Sequence, residues 1–167
     1  EIVVPVMYDD IGSTSNQFIS IELNEKYGFI DTKGKLKVGL QYEAVGEFNK
    51  GITYVKQDGL YGIIDTNLYY LVKPKFEWID NLDNSFIRIR ENNLYGVINQ
   101  NGDYIVQPIY SQLYEPNNGF ALVIKNQMYG YMNEAGMLVI DTTLNYSNGV
   151  ENWGLFNLLF TQLWIPQ

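Results

Sequence analysis

The chain has 167 residues, no cysteine and no histidine, and its 11 basic and 19 acidic side chains give a net charge of −8. The acidic balance disfavours nucleic acids and anionic membrane surfaces as partners, because both require basic patches. Without Cys or His, the chain has no disulfide, iron–sulfur cluster, thiolate zinc site or histidine-based catalysis. No run of 18 apolar residues occurs, so membrane insertion is not predicted.

A Tyr-Gly pair recurs along the chain with a fixed spacing of 34 residues. Six columns of apolar residues and two columns of Asn or Asp follow the same period. Such a period is typical of repeat proteins, whose units stack because none can bury its apolar faces alone. The sequence therefore predicts a single array over residues 1–167. Its repeat cores lie near residues 18–42, 52–76, 86–110 and 120–140, and a shortened fifth unit covers residues 141–167. The Tyr-Gly pairs are Tyr27-Gly28, Tyr61-Gly62, Tyr95-Gly96 and Tyr129-Gly130.

The strands of a single unit are clearest in residues 120–140. Two β-rich runs, Phe120–Lys125 and Met128–Asn133, are separated by an Asn-Gln turn, and a third run follows a turn that contains Gly136. Each unit is therefore expected to be a three-stranded antiparallel meander plus a connector. A proline after the third strand is expected to end the pairing where it occurs. The predicted fold class is all-β, with the units arranged as an open spiral or a propeller-like array.

Two periodic features of the units need a structural reason. Glycine weakens a strand, so the recurring strand glycine predicts close approach by an aromatic ring of a neighbouring strand. A polar column after the Tyr-Gly strand is expected to cap the following turn by an Asx hydrogen bond, although it could instead line a polar stripe. The expected rings are Tyr8, Tyr42, Phe76 and Tyr110, and the polar column is Asp31, Asp65, Asn99 and Asn133.

The run Lys26–Lys35 reads Lys-Tyr-Gly-Phe-Ile-Asp-Thr-Lys-Gly-Lys, and Ile105–Tyr110 reads Ile-Val-Gln-Pro-Ile-Tyr. Together with the dipeptide Trp153-Gly154, these runs resemble the bacterial WG-repeat family, also called KWG repeats, and the resemblance covers nearly the whole chain. Tyr replaces Trp in four units, and Leu40 and Leu68 stand where Pro and Gly are usual. The resemblance implies β-rich repeats in bacterial proteins and carries over no catalytic residues.

The remaining candidates for chemistry are two carboxylate pairs, Asp9 with Asp10 and Asp80 with Asp83. Residues 80–84 could form a calcium loop, since oxygen ligands cluster there, but a polar turn is the favoured interpretation. A hydrolase that uses such a pair is the least favoured function. We therefore predict no catalytic, cofactor-binding or metal-binding residues and expect that the protein is not an enzyme.

The expected function is that of a non-catalytic module whose partner is another protein or another domain of the parent chain. The alternative partner is a bacterial cell-envelope glycan bound by exposed aromatic rings, and an envelope or secreted location is favoured over the cytoplasm. Large aromatic and Arg side chains are common at interface hot spots. The face that carries two of the candidates, at positions 54 and 88, could instead pack against a neighbouring unit. The candidate partner-binding residues are Tyr54, Tyr69, Trp78, Arg88 and Tyr131.

Overall fold

The computed structural model describes residues 7–80 and 86–145, the last five of them by backbone only. Every regular element in these residues is a β-strand, as predicted, and they contain no helix of the length and apolar character needed to cross a membrane. Most of the predicted fifth unit, residues 146–167, lies outside the described residues. The strands are β1 (Asp10–Ser15), β2 (Phe18–Leu23), β3 (Lys26–Asp31), β4 (Leu36–Tyr42), β5 (Ala44–Val45), β6 (Ile52–Gln57), β7 (Leu60–Asp65), β8 (Tyr70–Phe76), β9 (Trp78–Ile79), β10 (Ile87–Glu91), β11 (Leu94–Ile98), β12 (Tyr104–Tyr110), β13 (Gln112–Leu113), β14 (Phe120–Lys125), β15 (Met128–Asn133) and β16 (Leu138–Asn145).

The strands form four antiparallel sheets of four strands each, in chain order. Sheet 1 contains β1–β4, sheet 2 contains β5–β8, sheet 3 contains β9–β12 and sheet 4 contains β13–β16. The last three strands of each sheet are the predicted meander. The connector does more than expected, because in sheets 2, 3 and 4 it supplies a two-residue first strand, such as Ala44–Val45. Each of these sheets therefore combines a connector with the meander that follows it.

The first hairpin of the meander has the same register in every sheet. The glycine of each Tyr-Gly pair lies opposite the central apolar residue of the preceding strand. This identical pairing confirms the 34-residue repeat as a structural unit. The opposed residues are Ile21 and Gly28, Val55 and Gly62, Ile89 and Gly96, and Val123 and Gly130.

The turn after each Tyr-Gly strand is closed by the side chain of the polar column. In sheet 2, the Oδ1 atom of Asp65 accepts hydrogen bonds from the backbone N–H groups of Asn67 and Tyr69, both at 2.9 Å. The predicted Asx cap is confirmed, because the same pair of bonds occurs in all four sheets. The equivalent acceptors are Asp31, Asn99 and Asn133, with distances of 2.9–3.1 Å.

These caps predict an acid-sensitive contribution to stability from Asp31 and Asp65. The backbone N–H of Lys35 lowers the pKa of Asp31. Burial acts to raise the pKa of Asp65, but hydrogen bonds led by the Tyr69 N–H outweigh it and the pKa is lowered. A carboxyl group whose pKa is lower in the folded state stabilises the fold above its unfolded pKa. That stability is lost as the pH falls below about 4 and through the folded pKa.

Replacing both residues by Asn should therefore flatten the loss of stability in acid. Asn keeps the Oδ1 acceptor, as Asn99 and Asn133 do naturally, but it does not titrate. Urea unfolding between neutral pH and about pH 3 measures the effect. The control is Asp58→Asn, at an exposed turn position. Equal acid dependence of the wild type and the double variant would rule out these caps as the source.

The strand glycine is required by a close backbone, not by the expected aromatic ring. A Cβ atom on Gly62 would lie 2.7 Å from the Val72 carbonyl oxygen and 2.8 Å from the Pro74 nitrogen. The cause is a register shift. Tyr61 pairs with Phe76 and Ile63 pairs with Val72, so the single β7 residue between them, Gly62, lies opposite three residues of β8. The β8 backbone bulges over the glycine. Gly28 and Gly96 are enclosed by β4 and β12 in the same way.

The expectation that an aromatic ring covers the strand glycine and the expectation that a proline ends the pairing are therefore both wrong. The rings of Tyr42 and Phe76 belong to residues paired with Tyr27 and Tyr61, one position before the glycine. Pro74 does not end the pairing, since β8 continues to Phe76. Its nitrogen lies over Gly62 within the bulge, where regular strand pairing is interrupted.

The chain divides into two compact units, Glu1–Pro108 and Ile109–Gln167. In the first unit, sheet 2 is buried on both faces: Ile64 packs in a core with residues of sheet 1, and Ile63 packs in a core with residues of sheet 3. Consecutive sheets of this unit thus bury each other's apolar faces, as the repeat pattern predicts. A single array over residues 1–167 remains a prediction. In the second unit, the buried side chains of sheet 4 include Leu113, Ala121, Val123 and Met132.

Candidate functional site

The fourth strands of sheets 1 and 2, together with the turn before β8, carry large apolar side chains that face solvent. Tyr69 is 73% exposed, Leu36 is 52% exposed and Leu71 is 41% exposed. Exposed apolar side chains that lie close together are typical of a binding site, and Tyr69 and Leu71 are two residues apart in the chain. We call residues 32–42 and 66–76, which comprise β4 and β8 with the turns before them, the outer track.

The two strands of the outer track meet through a pair of tyrosines. The hydroxyl oxygen of Tyr70, at the start of β8, lies 3.2 Å from that of Tyr42 at the end of β4. It also lies 3.2 Å from the Oε1 atom of Gln57. Burial, together with the hydrogen bond to Tyr42, raises the pKa of Tyr70 far above its usual value, so its hydroxyl stays protonated. This contact therefore joins the start of β8 to the end of β4.

A related contact fixes the other end of β8. Tyr104, at the start of β12, packs edge-on against Phe76, with ring centroids 6.4 Å apart. The Nζ atom of Lys75 lies 4.6 Å from the Tyr104 ring centroid and donates a hydrogen bond of 2.7 Å to its hydroxyl. Tyr104 donates in turn to Glu91. Burial, followed by the bond to Glu91, raises the pKa of Tyr104, so this network holds β8 with a neutral phenol.

The outer track is basic although the whole protein is acidic. Residues 32–42 contain three lysines and residues 66–76 contain two, and neither range contains Asp or Glu. All five lysine side chains are exposed. Lys37 pairs with Asp31 at 3.2 Å, and Lys75 lies 3.8 Å from Glu91. Five of the 11 basic residues thus lie in these two ranges.

Among the sequence candidates, Tyr54 is half-buried between sheets 2 and 3. Its ring meets that of Tyr61 edge-on, with centroids 5.7 Å apart, and packs against the core between the two sheets. Burial raises its pKa. A Cβ atom on Gly46 would lie 2.6 Å from the same ring. This environment agrees with the alternative interpretation of the sequence, in which the face that carries Tyr54 packs against a neighbouring unit.

Trp78 and Arg88 form one side-chain cluster on sheet 3. The Nε atom of Arg88 lies 2.6 Å from the Oδ2 atom of Asp80, and its guanidinium lies 5.6 Å from the Trp78 ring centroid. The Trp78 ring meets that of Tyr95 edge-on at 6.0 Å. The Arg88 side chain is 14% exposed. Its charge is therefore directed to Asp80, and little of the side chain reaches solvent.

The last two candidates lie in different units of the chain. Tyr69 belongs to the outer track and is the one strongly exposed side chain of the five candidates. Its backbone N–H is held by Asp65, which fixes the turn that carries the ring. Tyr131 lies in sheet 4 and is half-buried, and burial raises its pKa. The structure thus brings Trp78 and Arg88 together, while Tyr54 packs against the core between sheets 2 and 3 and Tyr69 is exposed before β8.

Several residues of the outer track were not among the sequence candidates. They include Leu36, Leu71 and Lys73. Strand alternation could have identified two of them, because Val72 occupies a periodic apolar column and its neighbours must point to the other face. Which face stays exposed is decided by the packing of sheets, which the alternation alone does not reveal.

The acidic residue that follows each of Tyr8, Tyr42 and Phe76 accepts a hydrogen bond from the backbone of a hairpin turn. The carboxylate of Glu43 accepts the backbone N–H of Gly59 at 3.0 and 3.3 Å. Glu77 accepts that of Asn93 at 3.1 and 3.2 Å. Asp9, a member of one predicted carboxylate pair, accepts the backbone N–H of Asn24 in its own hairpin turn at 2.7 Å. These acids therefore have a structural role.

The second predicted carboxylate pair is described only in part. Asp80 is ion-paired with Arg88. Asp83 and the rest of the candidate calcium loop fall within residues 81–85, which lie outside the described residues. Within residues 7–80 and 86–145, no group of three or more metal-ligating side chains is positioned to hold an ion.

Comparison with known families reproduces the period seen in the strands. Four successive matches to the family described as "WG containing repeat" cover residues 1–27, 27–61, 61–95 and 95–129. Their boundaries coincide with the tyrosines of the Tyr-Gly pairs. No curated protein matches the chain. Because the four matches cover more than half of its length, the chain belongs to the WG-repeat family.

Proposed function

We propose, from the premise that this is a WG-repeat chain, that it acts as a non-catalytic module that binds a protein partner. The partner is another protein or another domain of the parent chain, and the outer track is its binding surface. The observation that carries this proposal is the exposure of Tyr69 and Leu71, at the turn before β8 and at its start, with Leu36 also exposed at the start of β4. Protein interfaces are rich in such aromatic and aliphatic side chains at their centres.

The rigidity of the surface also supports a binding role. The turn that carries Tyr69 is held by Asp65, and both ends of β8 are held by tyrosine contacts. A surface that is ordered before binding loses little conformational entropy when the partner arrives. Repeat proteins commonly present extended surfaces of this kind.

The proposal predicts that the double variant Tyr69→Ser/Leu71→Ser loses partner binding while it keeps its fold. Wild type and variant would each be immobilised and exposed to a soluble extract of the organism that encodes the chain, and retained proteins would be quantified by mass spectrometry. We expect at least one protein to be retained by the wild type and reduced at least about tenfold by the variant, which corresponds to about 1.4 kcal/mol. Both replaced side chains are exposed, so the free energy of unfolding should change by no more than about 0.5 kcal/mol each.

The matched control replaces two exposed apolar side chains outside the outer track. Ile11 is 45% exposed and Leu94 is 36% exposed, and Ile11→Ser/Leu94→Ser should retain the same proteins as the wild type. An equal loss of retained proteins in both double variants would mean that capture depends on nonspecific hydrophobic adsorption. No protein retained by the wild type would overturn the proposal.

A glycan is the second candidate partner, and the exposed ring of Tyr69 is the observation that favours it. At 73% exposure the ring is free to stack on the apolar face of a sugar. A glycan array probed with the wild type and with Tyr69→Ser distinguishes the two candidates. Binding of a sugar that requires Tyr69, without capture of any protein, would replace the first candidate by the second.

A further inference from the structure

We infer that the protein partner presents an acidic extended segment, which pairs as an added strand with the open edge of β8. This inference rests on the proposed function, since it names the kind of segment that the outer track would bind. β8 is the last strand in the order β5-β6-β7-β8, so one edge pairs with β7, and no strand of residues 7–80 and 86–145 pairs with the other. Such an edge can accept a strand from another chain through backbone hydrogen bonds.

The edge is long enough and remains suitable despite its proline. β8 contains seven residues, from Tyr70 to Phe76, which is a typical length for a paired strand. Pro74 lacks an N–H donor, and its nitrogen lies 2.8 Å from the position that a Cβ atom on Gly62 would take. The other residues of β8 keep their N–H donors.

The side chains along β8 specify the chemistry of the added strand. Leu71, Lys73 and Lys75 are exposed at alternate positions, while Val72 and Phe76, which point the other way, are buried. A strand that pairs with β8 places its own side chains directly beside these exposed residues, where opposite charges and apolar pairs stabilise it. The complementary segment therefore has one apolar and two acidic residues at alternate positions.

The charge of the surface distinguishes this partner from a second copy of the chain. Pairing two β8 edges would bring Lys73 and Lys75 of one copy close to the same lysines of the other, and like charges on paired strands repel. β8 itself carries Lys73 and Lys75 and no acidic residue, so a strand with acidic side chains beside these two positions meets attraction. Steering by opposite charge also speeds association.

The test measures fluorescence anisotropy of a labelled peptide, Thr-Glu-Thr-Glu-Thr-Val-Thr, titrated with the whole chain. We expect saturable binding that weakens as the salt concentration rises. Lys73→Glu should weaken it at least about tenfold, because the change replaces attraction by repulsion beside a glutamate of the peptide. The matched control is Lys26→Glu, an identical charge change at an exposed lysine of β3, which lies outside the outer track. It should bind the peptide as the wild type does.

Two altered peptides separate strand pairing from simple charge attraction. A peptide with Lys in place of Glu should not bind, and one with N-methyl groups on alternate backbone nitrogens should bind at least about tenfold more weakly. Absence of binding by Thr-Glu-Thr-Glu-Thr-Val-Thr, equal binding by Lys73→Glu and Lys26→Glu, or full affinity of the methylated peptide would each overturn the inference. If the immobilised chain still captured proteins through Tyr69 and Leu71, the proposed function would stand while the acidic strand failed.

Discussion

Phe76→Ala should lower the free energy of unfolding by about 3–5 kcal/mol, the largest stability effect we expect in this chain. The Phe76 side chain is fully buried at 0% exposure and belongs to the core that joins sheets 2 and 3. Its ring contacts Tyr104 edge-on, so alanine removes an aromatic pair and leaves a cavity between two sheets. Urea denaturation followed by tryptophan and tyrosine fluorescence measures the change.

The matched control for this variant is Tyr69→Ala, which removes another aromatic ring seven residues away. Because Tyr69 is 73% exposed, its loss should change stability by no more than about 0.5 kcal/mol. A loss at Phe76 as small as that at Tyr69 would show that sheets 2 and 3 do not depend on this core for their stability.

Gly96→Val should destabilise the fold by more than about 2 kcal/mol. A Cβ atom at this position would lie 2.7 Å from the Val106 carbonyl oxygen and 2.8 Å from the Pro108 nitrogen. Both are backbone atoms, and they cannot rotate away as the end of a flexible side chain can. The larger valine side chain therefore has to displace β12 from β11. The denaturation midpoint and its cooperativity report this displacement.

Gly39→Val is the control with the same substitution in an open site. Gly39 lies in β4, and apart from its two chain neighbours no atom of the described residues lies within 4 Å of the position that its Cβ would take. Valine also suits a strand, so the free energy of unfolding should change by no more than about 0.5 kcal/mol. Similar midpoints for the two variants would remove the close backbone as the reason for the recurring glycine.

Local interactions made much of this fold predictable from the sequence by itself. The period of the Tyr-Gly pairs gives the repeat, and apolar alternation with Asn and Gly at the turns gives the hairpins, because both depend on residues close together in the chain. The Asx cap at Asp65 is of the same kind, since its donors lie two and four residues away. Family membership follows from the same short runs.

The tertiary structure alone decided what each strand faces. The sequence shows that a glycine needs space, but the strand that fills this space is fixed by a register shift between β7 and β8. The same holds for the candidate site. Tyr54 and Tyr69 are both tyrosines outside the periodic columns, yet one packs between two sheets and the other is exposed. Their difference depends on which sheet covers them, a long-range contact that no local pattern encodes.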